Sequence, residues 1–169
     1  MDHVLRTRGA RSLGYAPREG LHRLRLRVAE DLARLGVPAS ADDLVITTGS
    51  QQALDLVARA LISPGETILV DEMTYTGALN LLALAGARLV PVPRDDEGPE
   101  LAALERLAHV GPRALYLMPG CHNPTTAVIS DARREAIVDW SRRHGIPLIE
   151  DDYASDLNLD DEPLPTPLR

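Results

Sequence analysis

A chain of 169 residues with 44% hydrophobic content is long enough to bury one core of ordinary domain size, which excludes a disordered polymer. A formal net charge of -7 excludes the clustered positive surface that nucleic acid needs, and no apolar run reaches the length of a membrane span. The single cysteine, Cys121, excludes an internal disulfide and agrees with a reducing, cytoplasmic setting. All 18 residues counted as lysine or arginine are arginine. The chain therefore has no lysine, and chemistry that needs a lysine amine cannot be completed by its side chains.

In chain order, residues 1–12 are polar and basic and are expected to be loosely held. Leu13 to Gly20 reads as a loop punctuated by Pro17 and Gly20. From Leu21 the spacing becomes helical, with Leu21, Leu24, Val28, Leu32 and Leu35 on one stripe and a solvated arginine face opposite, until Gly36 and Pro38 stop it. Leu44 to Thr47 predicts a short strand, and Gln51 to Leu61 a helix with Leu54, Val57 and Leu61 inward. Between them lie Thr48, Gly49 and Ser50. Small residues at a strand-to-helix turn leave backbone N–H groups free where the helix dipole favours an anion; by itself the same pattern is also an ordinary Ser N-cap.

The alternation continues with a strand over Thr67 to Val70, a helix over Thr76 to Ala85 and a strand over Arg88 to Val92. A helix over Glu100 to His109 and a strand over Ala114 to Met118 follow. Ser130 is predicted to cap a helix that turns Ala136, Ile137 and Trp140 inward and ends at Gly145. Pro147 to Ile149 then reads as a strand buried on both faces, ending abruptly in Glu150, Asp151, Asp152 and Tyr153. The tail from Asn158 has three prolines and no period. Strands alternating with helices of this length predict an α/β fold, a mainly parallel sheet with helices on both faces in three layers.

Every distinctive side chain follows a strand, where such sheets place their ligands. Thr48 to Gln51 follows the first strand, Tyr75 the second, Asn123 the fourth, and Asp151 with Tyr153 the last. An acid at the lip of a low-dielectric core is costly unless a cationic or protonated partner faces it. Taken singly, each feature has a plain structural reading: Tyr75 as packing, PGCHNPTT at Pro119 to Thr126 as a turn, and the acids as a solvated strand end. Cys121 and His122 with Asp151 lack the spacing of a metal site. Paired acids at a strand end also occur in phosphotransfer receivers that hold Mg2+, but there the pair follows the first strand and a lysine is required.

TGSQQALDLVARAL, the Tyr75 loop, HNPT at His122 to Thr125 and IEDDY at Ile149 to Tyr153, in this order, resemble the fold type I pyridoxal-phosphate aminotransferases. The resemblance is strongest to the aminotransferase-like half of MocR-type regulators and to the 2-aminoadipate and kynurenine aminotransferases. YAPREGLHRLR at Tyr15 to Arg25 is similar to that branch's opening segment, and the match runs from Leu13 to Asp156. The resemblance implies that Ser50 and Gln51 hold the phosphate of pyridoxal 5'-phosphate, that Tyr75 stacks on its ring, and that Asn123 and Tyr153 bond the ring hydroxyl oxygen. Asp151 would pair with the protonated ring nitrogen. Tyr15 would reach the phosphate of a partner subunit, implying a homodimer.

The same resemblance implies transfer of an amino group from an amino acid to a 2-oxo acid, or alternatively an effector-sensing domain of a MocR/GntR-type regulator. Thr126 stands where many relatives have glycine. The family's Schiff-base lysine lies on the order of thirty residues beyond the position of Asp151, and this chain ends 18 residues after it. Residues 13–169 are therefore expected to form the front part of the family's large domain, incomplete, catalytically inactive alone, and prone to self-association through an unpaired sheet edge.

Overall fold

The computed structural model describes residues 14–154 and 166–168, together with Arg6 and Gly9. The rest of the N-terminal segment expected over 1–12, and of the tail from Asn158, lies outside the described residues. Two compact units, Met1–Thr47 and Thr48–Arg169, are distinguished.

In the first unit, helix α1 (His22–Arg34) forms where the leucine spacing predicts it, but it does not bury that stripe. Leu21, Leu24 and Leu35 are exposed, and the buried helical positions are Arg25 and Ala29. Arg25 donates to the Ala41 carbonyl and faces the Asp42 carboxylate at 3.6 Å, so the short 3-10 turn Ala41–Asp43 draws the guanidinium inward. One arginine of the supposedly solvated face is thus part of the unit's interior. Ser40 and Asp43 close the turn with reciprocal bonds, the Ser40 N–H donating to Asp43 Oδ2 at 2.9 Å.

Leu44 to Thr47, expected as the first strand, joins neither sheet. Leu44 leaves the turn in extended conformation (φ -116°, ψ 140°), but the Ile46 N–H donates to the Glu19 carbonyl at 3.0 Å. An extended apolar segment becomes a strand only beside a partner strand, and here the bond goes to a loop.

The second unit contains β1 (Thr67–Asp71), β2 (Arg88–Val92), the short β3 (Arg94–Asp95) and β4 (Gly98–Pro99), β5 (Ala114–Leu117) and β6 (Leu148–Glu150). Its helices are α2 (Ser50–Leu61), α3 (Thr76–Leu84), α4 (Leu101–Ala108) and α5 (Asp131–His144). Four strands form one parallel sheet in the order β2-β1-β5-β6, while β3 and β4 pair as an antiparallel hairpin. The hairpin is too short to show a sequence period and was not foreseen. It is anchored by Arg133, which donates to Asp95 Oδ2 at 2.9 Å and to the Pro99 carbonyl at 2.7 Å.

Because strand side chains alternate, the aliphatic runs of β1 and β5 serve two cores at once. Ile68, Val70, Ala114 and Tyr116 meet Leu54 and Ala58 of α2 and Ala78 and Leu82 of α3. Leu69, Leu115 and Leu117 meet Ala103 and Leu104 of α4 and Ile137 and Trp140 of α5. Helices therefore cover both faces, as the alternation of elements predicts. The strand β6 corrects one expectation: only Ile149 is buried, with Leu148 and Glu150 half-buried, because β6 is one of the two edge strands among the four described. Ser130 caps α5 as expected, accepting from the Arg133 N–H at 3.3 Å, and Gly145 ends it.

The chain runs from β1 outward to β2 and then returns to place β5 and β6 on the other side of β1. That reversal opens a crevice at the carboxyl ends of β1 and β5, the place where open α/β sheets bind ligands. Leu115 is fully buried in β5 whereas Leu84 is 89% exposed. Leu115→Ala should lower the unfolding free energy by about 2–5 kcal/mol and Leu84→Ala by less than about 0.5 kcal/mol, measured by urea denaturation.

Candidate functional site

The segments leaving β1, β5 and β6, with the start of α2, enclose a cavity of about 220 Å³ lined by Ser50, Tyr75, Met118, Asn123, Asp151 and Tyr153. Five residues singled out from sequence thus meet at one place. Gln51 does not line it but donates from Nε2 to the Tyr75 hydroxyl at 3.0 Å. Tyr15 belongs to the first unit, where it is fully exposed. A larger groove of about 1000 Å³ between α2 and α3 is lined by Asp55, Arg59 and Asn80 among others and shares Tyr75 with the cavity, while Gln51 lines only the groove.

The start of α2 corrects the reading of Ser50 as an N-cap. Gly49 is the N-cap, at φ 137°, a conformation that an L side chain rarely adopts, and no side chain caps the helix there. The first intrahelical bond runs from the Ala53 N–H to the Gly49 carbonyl at 3.2 Å, so helix geometry leaves the N–H groups of Ser50, Gln51 and Gln52 without intrahelical partners. Gln52 stiffens the preceding turn by accepting from the Thr48 N–H at 2.7 Å and from its hydroxyl at 3.0 Å. Tyr75 precedes α3, and its ring lies so close over Gly77 that a Cβ there would collide with it. The ring is held by Gln51 on one side and by a glycine backbone on the other.

Asp151 is fixed twice by β5. Its N–H donates to the Leu117 carbonyl at 3.0 Å, and its Oδ2 accepts from the Tyr116 hydroxyl at 2.8 Å. Tyr116 is fully buried, and burial, reinforced by the bond to Asp151, pushes its hydroxyl far up, so it stays a donor. Sequence reasoning missed Tyr116. The available signal was a lone phenol inside a buried aliphatic strand, which needs an acceptor; its target depends on the parallel register that sets Tyr116 opposite Ile149.

The three consecutive acids have three different environments. Glu150 accepts from the Leu168 N–H at 3.0 Å and is pushed up by burial, Asp151 lines the cavity, and Asp152 is exposed. Asn123 begins a loop with a cis peptide bond to Pro124, closed by the His122 N–H donating to the Ala127 carbonyl at 2.9 Å. Tyr153 is half-exposed, with its hydroxyl 3.9 Å from Cys121 Sγ.

Beside the cavity lies a buried cluster that sequence reasoning did not connect. Asp71, at the end of β1, faces Arg94 Nε at 3.1 Å and His122 Nε2 at 3.4 Å, and His122 Nδ1 lies 2.8 Å from the Thr125 hydroxyl. Asp71 and His122 are each 2% exposed. Burial, helped by the nearby Arg94 charge, pushes His122 down, which keeps it neutral. The cluster roots the loop that carries Asn123 in the end of β1. Among the described residues no group of three His, Cys, Asp or Glu side chains is arranged to hold a metal ion.

Fold and cavity together define the class of the protein: a doubly wound α/β domain with a small cavity at the carboxyl ends of its strands, beside a helix start. Residues 5–157 match the family described as Aminotransferase class I and II, and the chain belongs to that family. It is 37% identical over 164 residues to the 2-aminoadipate transaminase of Thermus thermophilus, covering 96% of this chain and 40% of that protein. It is 33% identical over 153 residues to the probable rhizopine catabolism regulatory protein MocR of Rhizobium meliloti, covering 90% of this chain and 30% of the regulator. Among solved structures, α-aminoadipate aminotransferase from Thermus thermophilus, complexed with N-(5'-phosphopyridoxyl)-L-leucine, superposes with a TM-score of 0.87 at 35% identity over 98% of this chain and 41% of that one. The chain thus spans between 30% and 40% of the length of the two curated relatives.

Burial pushes the Asp71 carboxyl up from 3.8 to about 6, although the Arg94 guanidinium pulls it down. A carboxyl raised in the folded state contributes stability that is fully present below 3.8 and is lost as pH rises through about 6. Asp95 and Glu105, held low by Arg133 and Arg143, act with the opposite sign. The test is therefore a difference: the stability of wild type relative to Asp71→Asn should fall between about pH 4 and about pH 6.5, as read from urea midpoints at each pH, whereas a flat difference contradicts the raised carboxyl.

Proposed function

We propose that the chain is the pyridoxal-phosphate-binding part of an amino-acid aminotransferase, with residues 13–169 forming the front of the large domain. Its parent protein would transfer an amino group from an amino acid to a 2-oxo acid. The observation that carries this reading is the convergence of Ser50, Tyr75, Asn123, Asp151 and Tyr153 on one small cavity. Each group suits a part of a phosphorylated hydroxypyridine. The uncapped start of α2 with Ser50, and Gln51 beside it, suits the phosphate. The Tyr75 ring suits a stacked pyridine, Asn123 and Tyr153 suit the ring hydroxyl oxygen, and the Asp151 carboxylate suits the ring nitrogen.

When bound, pyridoxal phosphate supplies an electron sink for a substrate carbon that loses its proton. The part of Asp151 is to keep a proton on the ring nitrogen, because a carboxylate at hydrogen-bond distance favours the cationic ring. Asn123 and Tyr153 orient the opposite edge, and Tyr75 excludes water from one face. With no lysine in the sequence, this chain is proposed to hold the cofactor noncovalently and to be inactive alone. The proposal includes a homodimer in which Tyr15 reaches the neighbouring subunit's phosphate, and a cytoplasmic location, where a free thiol such as Cys121 persists.

A second reading, an effector-sensing domain of a MocR/GntR-type regulator, is favoured by the similarity to MocR. Assays on the full-length parent separate the two: repeated conversion of an amino acid to its 2-oxo acid marks the enzyme, and cofactor-dependent DNA binding without turnover marks the regulator. On this chain, equilibrium dialysis should show retention of pyridoxal phosphate that weakens in Asn123→Ala. Borohydride reduction followed by peptide mapping should label only the Met1 amine. Equal retention by wild type, Asn123→Ala and Asp151→Asn, or turnover of an amino acid by this chain alone, would overturn the assignment.

A further inference from the structure

We propose that Tyr116 is a positioning residue for the cofactor's ring nitrogen, acting through Asp151. This rests on the reading of the cavity as a pyridoxal-phosphate site. The strand β5 is hydrogen-bonded to β1 on one side and β6 on the other, so Tyr116 has little freedom to move. Its ring sits in the core beneath α2 and α3 with none of its surface exposed. A hydroxyl in that setting needs an acceptor, and it donates to Asp151 Oδ2 at 2.8 Å. Leu117, the next residue of the same strand, accepts from the Asp151 N–H at 3.0 Å. Two adjacent residues of one rigid strand therefore fix both the backbone and the carboxylate of Asp151.

Two consequences follow for a ligand in the cavity that Asp151 lines. With Oδ2 engaged from behind by Tyr116, Oδ1 is the oxygen available to a donor in the cavity, and the plane of the carboxylate is set before any ligand arrives. The O–H···O bond to a carboxylate is charge-assisted and holds the Asp151 side chain in one orientation toward the cavity. A carboxylate so placed favours the cationic form of a ring nitrogen beside it. Other titratable groups near this pair are the phenols of Tyr75, which acts on Tyr116, and Tyr153, which senses Asp151 and lies against Cys121, with Glu150 and Asp152 flanking Asp151 in the chain. Neither phenol makes a described hydrogen bond to the Asp151 carboxylate, so Tyr116 is the donor that Asp151 depends on.

The experiment uses the chain with pyridoxal phosphate labelled with 15N at the ring nitrogen, and follows that nitrogen by NMR across pH in wild type, Tyr116→Phe and Asp151→Asn. Phenylalanine keeps the ring and removes only the donor. In Tyr116→Phe the ring nitrogen should lose its proton at lower pH than in wild type, by up to about one unit, because a carboxylate free to turn away pairs less closely with the ring cation. A purely structural role for Tyr116 would lower stability without moving that titration. If Asp151→Asn moves the titration and Tyr116→Phe does not, this proposal is overturned while the site reading stands. If no variant moves it, or no protein binds the cofactor, the site reading fails and this inference with it. Should Tyr116→Phe not fold, the ligand-free wild type decides: a Tyr116 hydroxyl proton protected from exchange, and lost in Asp151→Ala, supports the proposal, and a freely exchanging one overturns it.

Discussion

The constraint on which the second unit depends is the burial of β1 and β5 on both faces and both edges. Each residue of these strands must be apolar or carry its own partner, because helices cover the faces and neighbouring strands consume the backbone groups. That leaves the strand ends as the first positions where polar chemistry is tolerated. Asp71, Tyr75, Asn123 and Asp151 all lie at or just beyond a strand end, and the reversal of strand order between β1 and β5 brings their loops together. The cavity is thus a consequence of how the sheet is wound.

Arginine supplies the buried cations around this sheet in a chain that has no lysine to offer. Arg134 is 5% exposed and donates to the carbonyls of Ile129 at 2.9 Å and Pro119 at 2.7 Å, tying together the two ends of the loop that holds Asn123. Arg94 faces Asp71, and Arg25 reaches the Ala41 carbonyl in the first unit. A planar guanidinium with five donors can satisfy several carbonyls at once, which a compact ammonium cannot do in a fixed fork. The loops near the cavity are therefore held by buried polar contacts with defined geometry, while exposed bonds of Gln51 and Gln52 and the close approach of Gly77 hold the start of α2 and Tyr75.

Much of this was legible in the sequence. Periodicity, caps and glycines place the helices and most strands of the second unit, because these signals are local: the Ser130 cap, the stop at Gly145 and the aliphatic runs of β1 and β5 each act within a few residues. The five candidate residues that line the cavity were legible from their positions after strands and from the family resemblance. Other features were not, and three of them show why. The stripe on α1 suggested which face to bury, but Arg25 found partners in the turn Ala41–Asp43. Leu44 to Thr47 had strand composition, but its partner is a matter of tertiary contact. Ser50 looked like a cap, but Gly49 took that position and left Ser50 to the cavity.

The sequence by itself determined that the second unit is an alternating α/β structure, that its candidate site residues follow its strands, and that this chain contains no lysine. Hydrophobic period and turn chemistry are properties of neighbours along the chain, and residue types need no folding to be counted. Only the tertiary structure decided that Tyr116 meets Asp151, that His122 belongs with Asp71 and Thr125, and that Glu150, Asp151 and Asp152 have separate environments. Those outcomes depend on strand order and register, which bring together residues tens of positions apart, and a one-residue slip in the pairing of β5 with β6 would have turned different side chains toward each other.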